Sequence, residues 1–272
     1  MDKAENEKFT IIDQIAVAVS SPSNYKKLTE LRLRRTILYF IILIFLLAFM
    51  RMGISTLVYI CNIGGFKNLI LNTVPEFSVE DGKLYMADKM ELDIGEGVVM
   101  YVDTDLEEIT LDDLEDSTDI YIAMGQTNVM IGIKSGIYEQ EYLNVAISDM
   151  FYDGLNNETL SQMVPVFYIS IAIAFICTMI GQLISILFLA LIIFIVGRAV
   201  AKRLENKLPY GKVYLVCMYS LSLPMLLMRA NEAAGYFLPS SGAYLIGICI
   251  AVVFTGRGVM SHGSIKINDI NK

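Results

Sequence analysis

Thirty-four consecutive residues, Val164–Gly197, carry no charged side chain. As one helix this run extends roughly 50 Å, against a hydrocarbon layer of roughly 30 Å. It either projects beyond the bilayer or breaks near Gly181-Gln182. Two crossings need about 40 residues plus a turn, so the run counts as one span.

Three other stretches read the same way. Thr36–Ile60 is charge-free from Ile37 to Met50 and meets Arg51 near its far end. It is expected to be a retained span rather than a signal peptide. The leader before it is long, and Ala48-Phe49-Met50-Arg51-Met52-Gly53 offers no small-x-small cleavage site. Val213–Met228 is a third span, interrupted by Pro224, with Ser220 and Ser222 placed to satisfy carbonyls that the proline frees. Residues 242–256 form a short fourth. With 55% hydrophobic residues and a mean hydropathy of +0.54, the chain is too apolar for a soluble domain of its length.

Charge is segregated as sharply as hydropathy. Lys67–Glu158 holds 21 acidic and 4 basic residues, a net of −17, whereas the remainder holds 8 acidic and 17 basic residues. The basic residues cluster where they fix topology: Lys26, Lys27, Arg32, Arg34 and Arg35 before the first span, and Arg198, Lys202, Arg203, Lys207 and Lys212 after the second. By the positive-inside rule both termini are cytoplasmic. The expected architecture is a polytopic α-helical membrane protein with four transmembrane helices and a small β-rich extracytoplasmic domain inserted between helices 1 and 2. In this division residues 1–35 are an amphipathic and basic cytoplasmic segment and 36–60 the first helix. Residues 61–163 form the acidic domain, 164–197 the second helix and 198–212 a basic loop. The third helix is 213–228, then come an external loop at 229–241, the fourth helix at 242–256 and a cytoplasmic tail at 257–272.

Phe9, Ile12, Ala16 and Val19 recur at helical spacing, giving a short helix that lies on the membrane or packs on a cytoplasmic loop before Ser20-Ser21-Pro22-Ser23 ends it. In the acidic domain, Phe77–Met86 alternates around Asp81-Gly82 and reads as a hairpin. Val98–Val102 is a strand, and Ile120–Met124 with Val129–Lys134 forms a second hairpin around Gly125–Asn128. Asp112, Asp113, Glu115, Asp116 and Asp119 surround Leu111 and Leu114 on an exposed helix or loop.

Little catalytic chemistry is written in the chain. The lone His262 leaves little room for histidine-based catalysis or metal binding, and Cys61, Cys177, Cys217 and Cys249 all lie in apolar runs and imply no disulfide framework. Asp103, Asp105, Glu107 and Glu108 suggest calcium, but the position that an EF-hand gives to glycine is Glu108 and its twelfth is Leu114. An irregular cation site or a solvated acidic face remain as readings. Phosphate-binding glycine loops and hydrolase or zincin motifs are absent, no cofactor is implied, and the acidity of the domain disfavours nucleic acid. Polar groups inside spans carry most of the remaining information. Arg51 snorkels outward or pairs with Glu232 or with the acidic domain. Gln182 bonds across helices or lines a polar path. Ala243, Gly247, Ala251 and Thr255 form a small-residue ridge, echoed by Gly181 and Ser185, that packs within the chain or against a second copy.

Several short patterns are familiar in this order: Ser21-Pro22 with Tyr25 and basic residues before the first span, then Pro75–Leu84 just after it. Val102-Asp103-Thr104 at a strand end and Tyr219-Ser220-Leu221-Ser222-Leu223-Pro224 in the third span follow. Together they resemble the bacterial membrane family of domain of unknown function 1189, over about Phe9 to Thr255. The resemblance implies a multi-pass protein of the cytoplasmic membrane, mainly of Gram-positive bacteria. It implies no assigned activity and no catalytic residues. Some relatives carry a maltodextrin-utilisation label, and no residue here supports sugar chemistry.

Three functions fit these expectations. The first is a non-enzymatic binding or signalling module whose outer domain contacts a partner, an envelope component or an ion. The second is an accessory or scaffold subunit of a transporter or secretion complex, with a membrane-protein partner or a homodimer. The third is a membrane enzyme using external carboxylates.

Overall fold

The computed structural model describes residues 9–95, 98–110, 113, 120–133, 141–206 and 208–263. Lys134, Lys207 and most of the acidic run Leu111–Asp119 lie outside the described residues, as does the C-terminal segment after Gly263. The chain divides into two compact units, one made of Met1–Leu57 with Ile171–Lys272 and the other of Val58–Ser170.

The first unit is helical. Helix α1 (Ile11–Ser20) starts at Thr10, whose hydroxyl accepts from Asp13 N while Asp13 accepts from Thr10 N at 2.8 Å. This reciprocal cap satisfies two end donors and is worth about 1 kcal/mol. The expected helix is present, but Gln14 and Ala18 are its buried face, packed on the bundle, and Ile12 and Ala16 point outward. After a short helix α2 (Tyr25–Thr29), α3 (Leu33–Ala48) continues through a π-helical turn, Phe49–Gly53, into α4 (Ile54–Asn62). Together they make a 30-residue apolar helix.

In the second unit Gly65 enters a short turn, α5 (Phe66–Asn68), followed by a π turn at Leu69–Thr73 that buries Leu69 and Ile70. Strands β1 (Phe77–Glu80) and β2 (Lys83–Met86) pair antiparallel, Phe77 opposite Met86. Asp81 and Gly82 both have positive φ, 51° and 72°, the geometry a two-residue hairpin turn requires and that Asp-Gly accepts. A five-stranded sheet follows in sequential order: β3 (Met90–Gly95), β4 (Val98–Val102), β5 (Ile120–Met124), β6 (Asn128–Ile133) and β7 (Glu141–Ala146). All neighbours are antiparallel except β4 and β5, which run parallel through the crossover 103–119. Period-two alternation gives the sheet two apolar faces. Val102, Val129, Met100, Ile122 and Met124 join Val79, Leu84, Ile147 and Leu155 on one, and Tyr101, Tyr121, Ala123 and Met130 meet Ile109 on the other. Two short helices, α6 (Ile147–Met150) and α7 (Asn157–Gln162), close this unit.

Helix α8 (Val164–Arg203) runs unbroken for 40 residues, about 60 Å. Gly181-Gln182 therefore marks no break. It marks a change of environment: Gln182, Ile186, Ala190, Ile193, Gly197 and Ala201 form one buried ridge, and nothing from Val164 to Gly181 is buried. Helix α9 (Tyr210–Ser220) and α10 (Ser222–Ala233) make one bent apolar rod. The break sits at Leu221, and Pro224 lies in the first turn of α10, where its missing N–H removes no internal hydrogen bond. Ser220 donates to Cys217 O at 2.7 Å, while Ser222 instead meets the Tyr39 hydroxyl at 2.7 Å. The last helix is α11 (Ser240–Met260). Four helices, Leu33–Asn62, Val164–Arg203, Tyr210–Ala233 and Ser240–Met260, are long and apolar enough to cross a membrane.

The small-residue ridge is used inside the chain. Ala251 and Thr255 are fully buried, and a methyl group on Gly247 would touch Pro224 and Met228 at 3.5 Å. Thr255 meets the Ser220 hydroxyl at 2.8 Å. On Gly197 a methyl would meet Val213, Cys217 and Thr255 within 3.2 Å, which explains how α8 approaches α9 and α11 so closely. Gly181 has nothing within 4 Å.

Candidate functional site

The β-rich unit contains a partly open cavity of about 350 Å³. Its walls come from four places in the sequence. Phe66 and Ile70 belong to the segment just after the first apolar helix, Val79 and Leu84 to the hairpin, Met100 and Met124 to the sheet, and Phe167 to the first turn of α8. All 17 lining residues are apolar, so the space offers a ligand no hydrogen bond and selects for hydrocarbon. Four of them are methionines, Met86, Met90, Met100 and Met124. Their unbranched side chains adapt to occupants of different shape.

Asn157 fixes the wall formed by residues 66–77. Its amide nitrogen lies 3.0, 3.3 and 3.1 Å from the carbonyls of Ile70, Val74 and Pro75, and its oxygen accepts from Phe77 N at 2.9 Å. Its neighbour Asn156 caps α7 in a reciprocal arrangement with Thr159. Phe66 adds ring contacts to Phe167 and Tyr168 at 5.8 and 5.4 Å between centroids. Asn157 thus ties the start of α7 to the segment that follows the first apolar helix.

Asp103, read from sequence as a candidate cation ligand, is buried at 2% exposure. One carboxylate oxygen accepts from Lys89 Nζ at 2.6 Å and from the Tyr101 hydroxyl at 3.2 Å; the other accepts from Asp105 N at 3.1 Å. Both oxygens are therefore occupied and the buried carboxylate is closed to a cation from outside. Among the described residues no three His, Cys, Asp or Glu side chains are grouped to hold a metal, and all four cysteines are free. Burial alone would raise the Asp103 pKa, but the Lys89 bond, the Asp105 amide and Tyr101 together hold it below its usual value. A depressed carboxylate stabilises the fold above its unfolded pKa and loses that contribution as pH falls through the folded one. Because Lys89 is 57% exposed, the pair's contribution is discounted for solvent screening. Asp103→Asn is expected to cost about 1–2 kcal/mol at neutral pH. The gap between the wild type and the variant in thermal shift should begin to close below about pH 4 and vanish only below the depressed folded value. A gap that persists undiminished at pH 3 would show that shape, not charge, holds this corner.

The polar candidates of the apolar helices are arranged differently from their sequence pairing. Arg51 sits in the π turn, exposed, and has no ion pair among the described residues. Glu232 takes Arg229, one helical turn before it in α10, and Arg229 reaches Gln182 of α8 in a long 3.5 Å contact. Arg229 is 6% exposed and its Nε has no partner. The spacing of Arg229 and Glu232, three apart on a helix, was the available signal. Pro224 and Gly247 lie together at the α10–α11 contact, and Ala251, fully buried, belongs to the same helical core. Gln14 is wholly buried, with neither amide atom bonded, and nothing in its apolar sequence neighbourhood announced it.

No curated protein and no solved structure matches the chain. The model of one family, described as a protein of unknown function (DUF1189), does match, over residues 12–259. That span covers nearly the whole chain, and the protein belongs to the DUF1189 family.

Proposed function

We propose that this protein is a non-enzymatic binding module of the bacterial cell membrane whose β-rich unit holds the hydrocarbon chain of an envelope lipid. Both termini are cytoplasmic and the acidic unit faces outward, a topology supported by the basic residues that flank the inner ends of the spans. The single observation that carries the reading is the wholly apolar cavity. It is roughly twice the ~150 Å³ apolar cavity that accepts a benzene ring, so an alkyl chain of about a dozen carbons suits it. An unlined polar ligand would forfeit its hydration there without compensation. Two of the walls, Phe66–Val74 and Phe167, follow and begin apolar helices directly, which supplies the chain from a bilayer rather than from water.

A diazirine-tagged acyl lipid in nanodiscs containing the full-length protein tests this. Illumination is expected to label Met86, Leu92 or Met100, identified by peptide mass spectrometry. Met100→Trp, which fills the cavity at a packing cost of about 1–3 kcal/mol, should reduce that labelling at least severalfold while leaving labels on the apolar helices. Labels confined to those helices in the wild type would reject the reading.

A second reading, an accessory or scaffold subunit, draws on α8. Its half from Val164 to Gly181 buries no side chain, and Gly181 stands open. A stoichiometric membrane-protein partner after mild-detergent purification would favour it.

A further inference from the structure

The turn between α10 and α11 encloses a second, smaller cavity of about 180 Å³, lined chiefly by Met228, Asn231, Glu232, Tyr236, Ser240 and Tyr244. Its shape is set by the chain itself. Asn231 accepts from Leu238 N at 2.8 Å and donates to Leu238 O at 2.9 Å, closing the loop in both directions. Tyr236 N donates to Asn231 O at 2.9 Å. Tyr236 has φ +59°, a left-handed conformation uncommon for any residue with a side chain.

The electrostatics of the lining have a definite sense. Arg229 is 6% exposed and does not line the cavity; Glu232 is 26% exposed and does. The ion pair therefore turns its negative end toward the space, with the guanidinium behind it. Two tyrosine rings and a thioether complete the wall, with Tyr236 56% and Tyr244 48% exposed, so an entering group can reach them. One carboxylate, with only neutral amide and hydroxyl side-chain oxygens beside it, is a poor cage for a hard metal cation. A carboxylate beside aromatic faces is instead the chemistry that recognises substituted ammonium groups. The volume is close to that of a cavity holding a six-carbon ring, about 150 Å³, which matches a group of that size.

We propose that this cavity binds an organic ammonium group of the choline or ethanolamine type, with Glu232 as counter-ion and Tyr236 and Tyr244 as its aromatic walls. The group arrives on a lipid headgroup or on a small soluble molecule, and the two sources are separable by experiment. The full-length protein is placed in nanodiscs of phosphatidylglycerol alone, which carry no ammonium group. Choline chloride is then titrated by saturation-transfer NMR against sodium chloride at matched ionic strength. In parallel, nanodiscs with equal phosphatidylethanolamine and phosphatidylglycerol are dissolved in mild detergent and the retained lipid is identified by native mass spectrometry.

Saturable choline binding that weakens about twofold to fivefold in Tyr244→Leu or Tyr236→Leu, and about tenfold in Glu232→Gln, supports the site with a soluble ligand. Selective retention of phosphatidylethanolamine, lost in the tyrosine variants, supports it with a lipid ligand. Because Glu232→Gln also strips Arg229 of its counter-ion, the exposed tyrosines carry the decision if that variant fails to fold. Choline no better than sodium together with no preference for phosphatidylethanolamine overturns the proposal. So does binding that is equal in the wild type and both tyrosine variants.

Discussion

Glu232→Ala is expected to lower the stability of the detergent-solubilised protein by about 3 kcal/mol. The reason lies with its partner. Arg229 is buried, its Nε is already without an acceptor, and its other contact is the long bond to Gln182. Removing Glu232 leaves a guanidinium with no counter-ion in an apolar bundle, and the cost is the desolvation of that charge rather than the strength of the pair. Arg229→Leu should cost less, because the carboxylate it abandons is a quarter exposed and can turn to water. The double variant should then cost clearly less than the sum of the two, a coupling of about 1 kcal/mol or more in a thermal-shift cycle. Arg51→Gln serves as the control. It is exposed and lies outside this pair, so Arg51→Gln and Glu232→Ala should add. Additivity between Arg229 and Glu232, or coupling between Arg51 and Glu232, would overturn the assignment of the ion pair.

Gly258→Val should be of similar size, about 3 kcal/mol, by a steric route. A Cβ at Gly258 would lie 2.6 Å from the Tyr25 ring and 2.8 Å from Val216. Neither neighbour has room to move. Tyr25 is fully buried, its hydroxyl donates to Ala18 O at 2.6 Å, and its ring faces Tyr219. Val216 is buried in the same core. The substitution therefore separates α11 from α2 and α9 together, and tightly packed interiors tolerate such wedges poorly. Gly256, two residues away, has nothing within 4 Å. Gly256→Ala should be neutral or gain up to about 1 kcal/mol of helix propensity. Equal effects at the two positions would mean that helix propensity, not contact, governs this end of α11.

Much of this fold is written in local sequence. The four apolar helices announce themselves by length, because backbone groups in lipid must be satisfied within the segment. Their ends were harder to place: the third extends from Tyr210 to Ala233 rather than from Val213 to Met228, because Arg229 and Glu232 satisfy each other and remain in the helix. Asp81-Gly82 marked its hairpin through a turn that few other dipeptides accept. Strands β3 and β7 carry weak local signals, Met90-Glu91-Leu92-Asp93 alternating over only four residues, and the parallel β4–β5 pair rests on a contact that no local pattern encodes. The apolar cavity was illegible for the same reason: Phe66, Val79, Met100 and Phe167 are ordinary residues until the fold assembles them. Asp103 was legible as unusual and misleading as to purpose, since its partner Lys89 lies 14 residues earlier.

The division of the chain into a continuous unit, Val58–Ser170, set inside a discontinuous one, Met1–Leu57 with Ile171–Lys272, imposes an order on biogenesis. The inner unit is complete in the nascent chain once Ser170 has emerged. The outer one is not, because Tyr39 and Tyr25 find Ser222 and Tyr219 only after α9 and α10 have been made. At roughly 5–20 residues per second, the N-terminal helices wait on the order of ten seconds or longer for those partners. During that interval Gln14, Tyr25 and Tyr39 present surfaces meant for a bundle that does not yet exist.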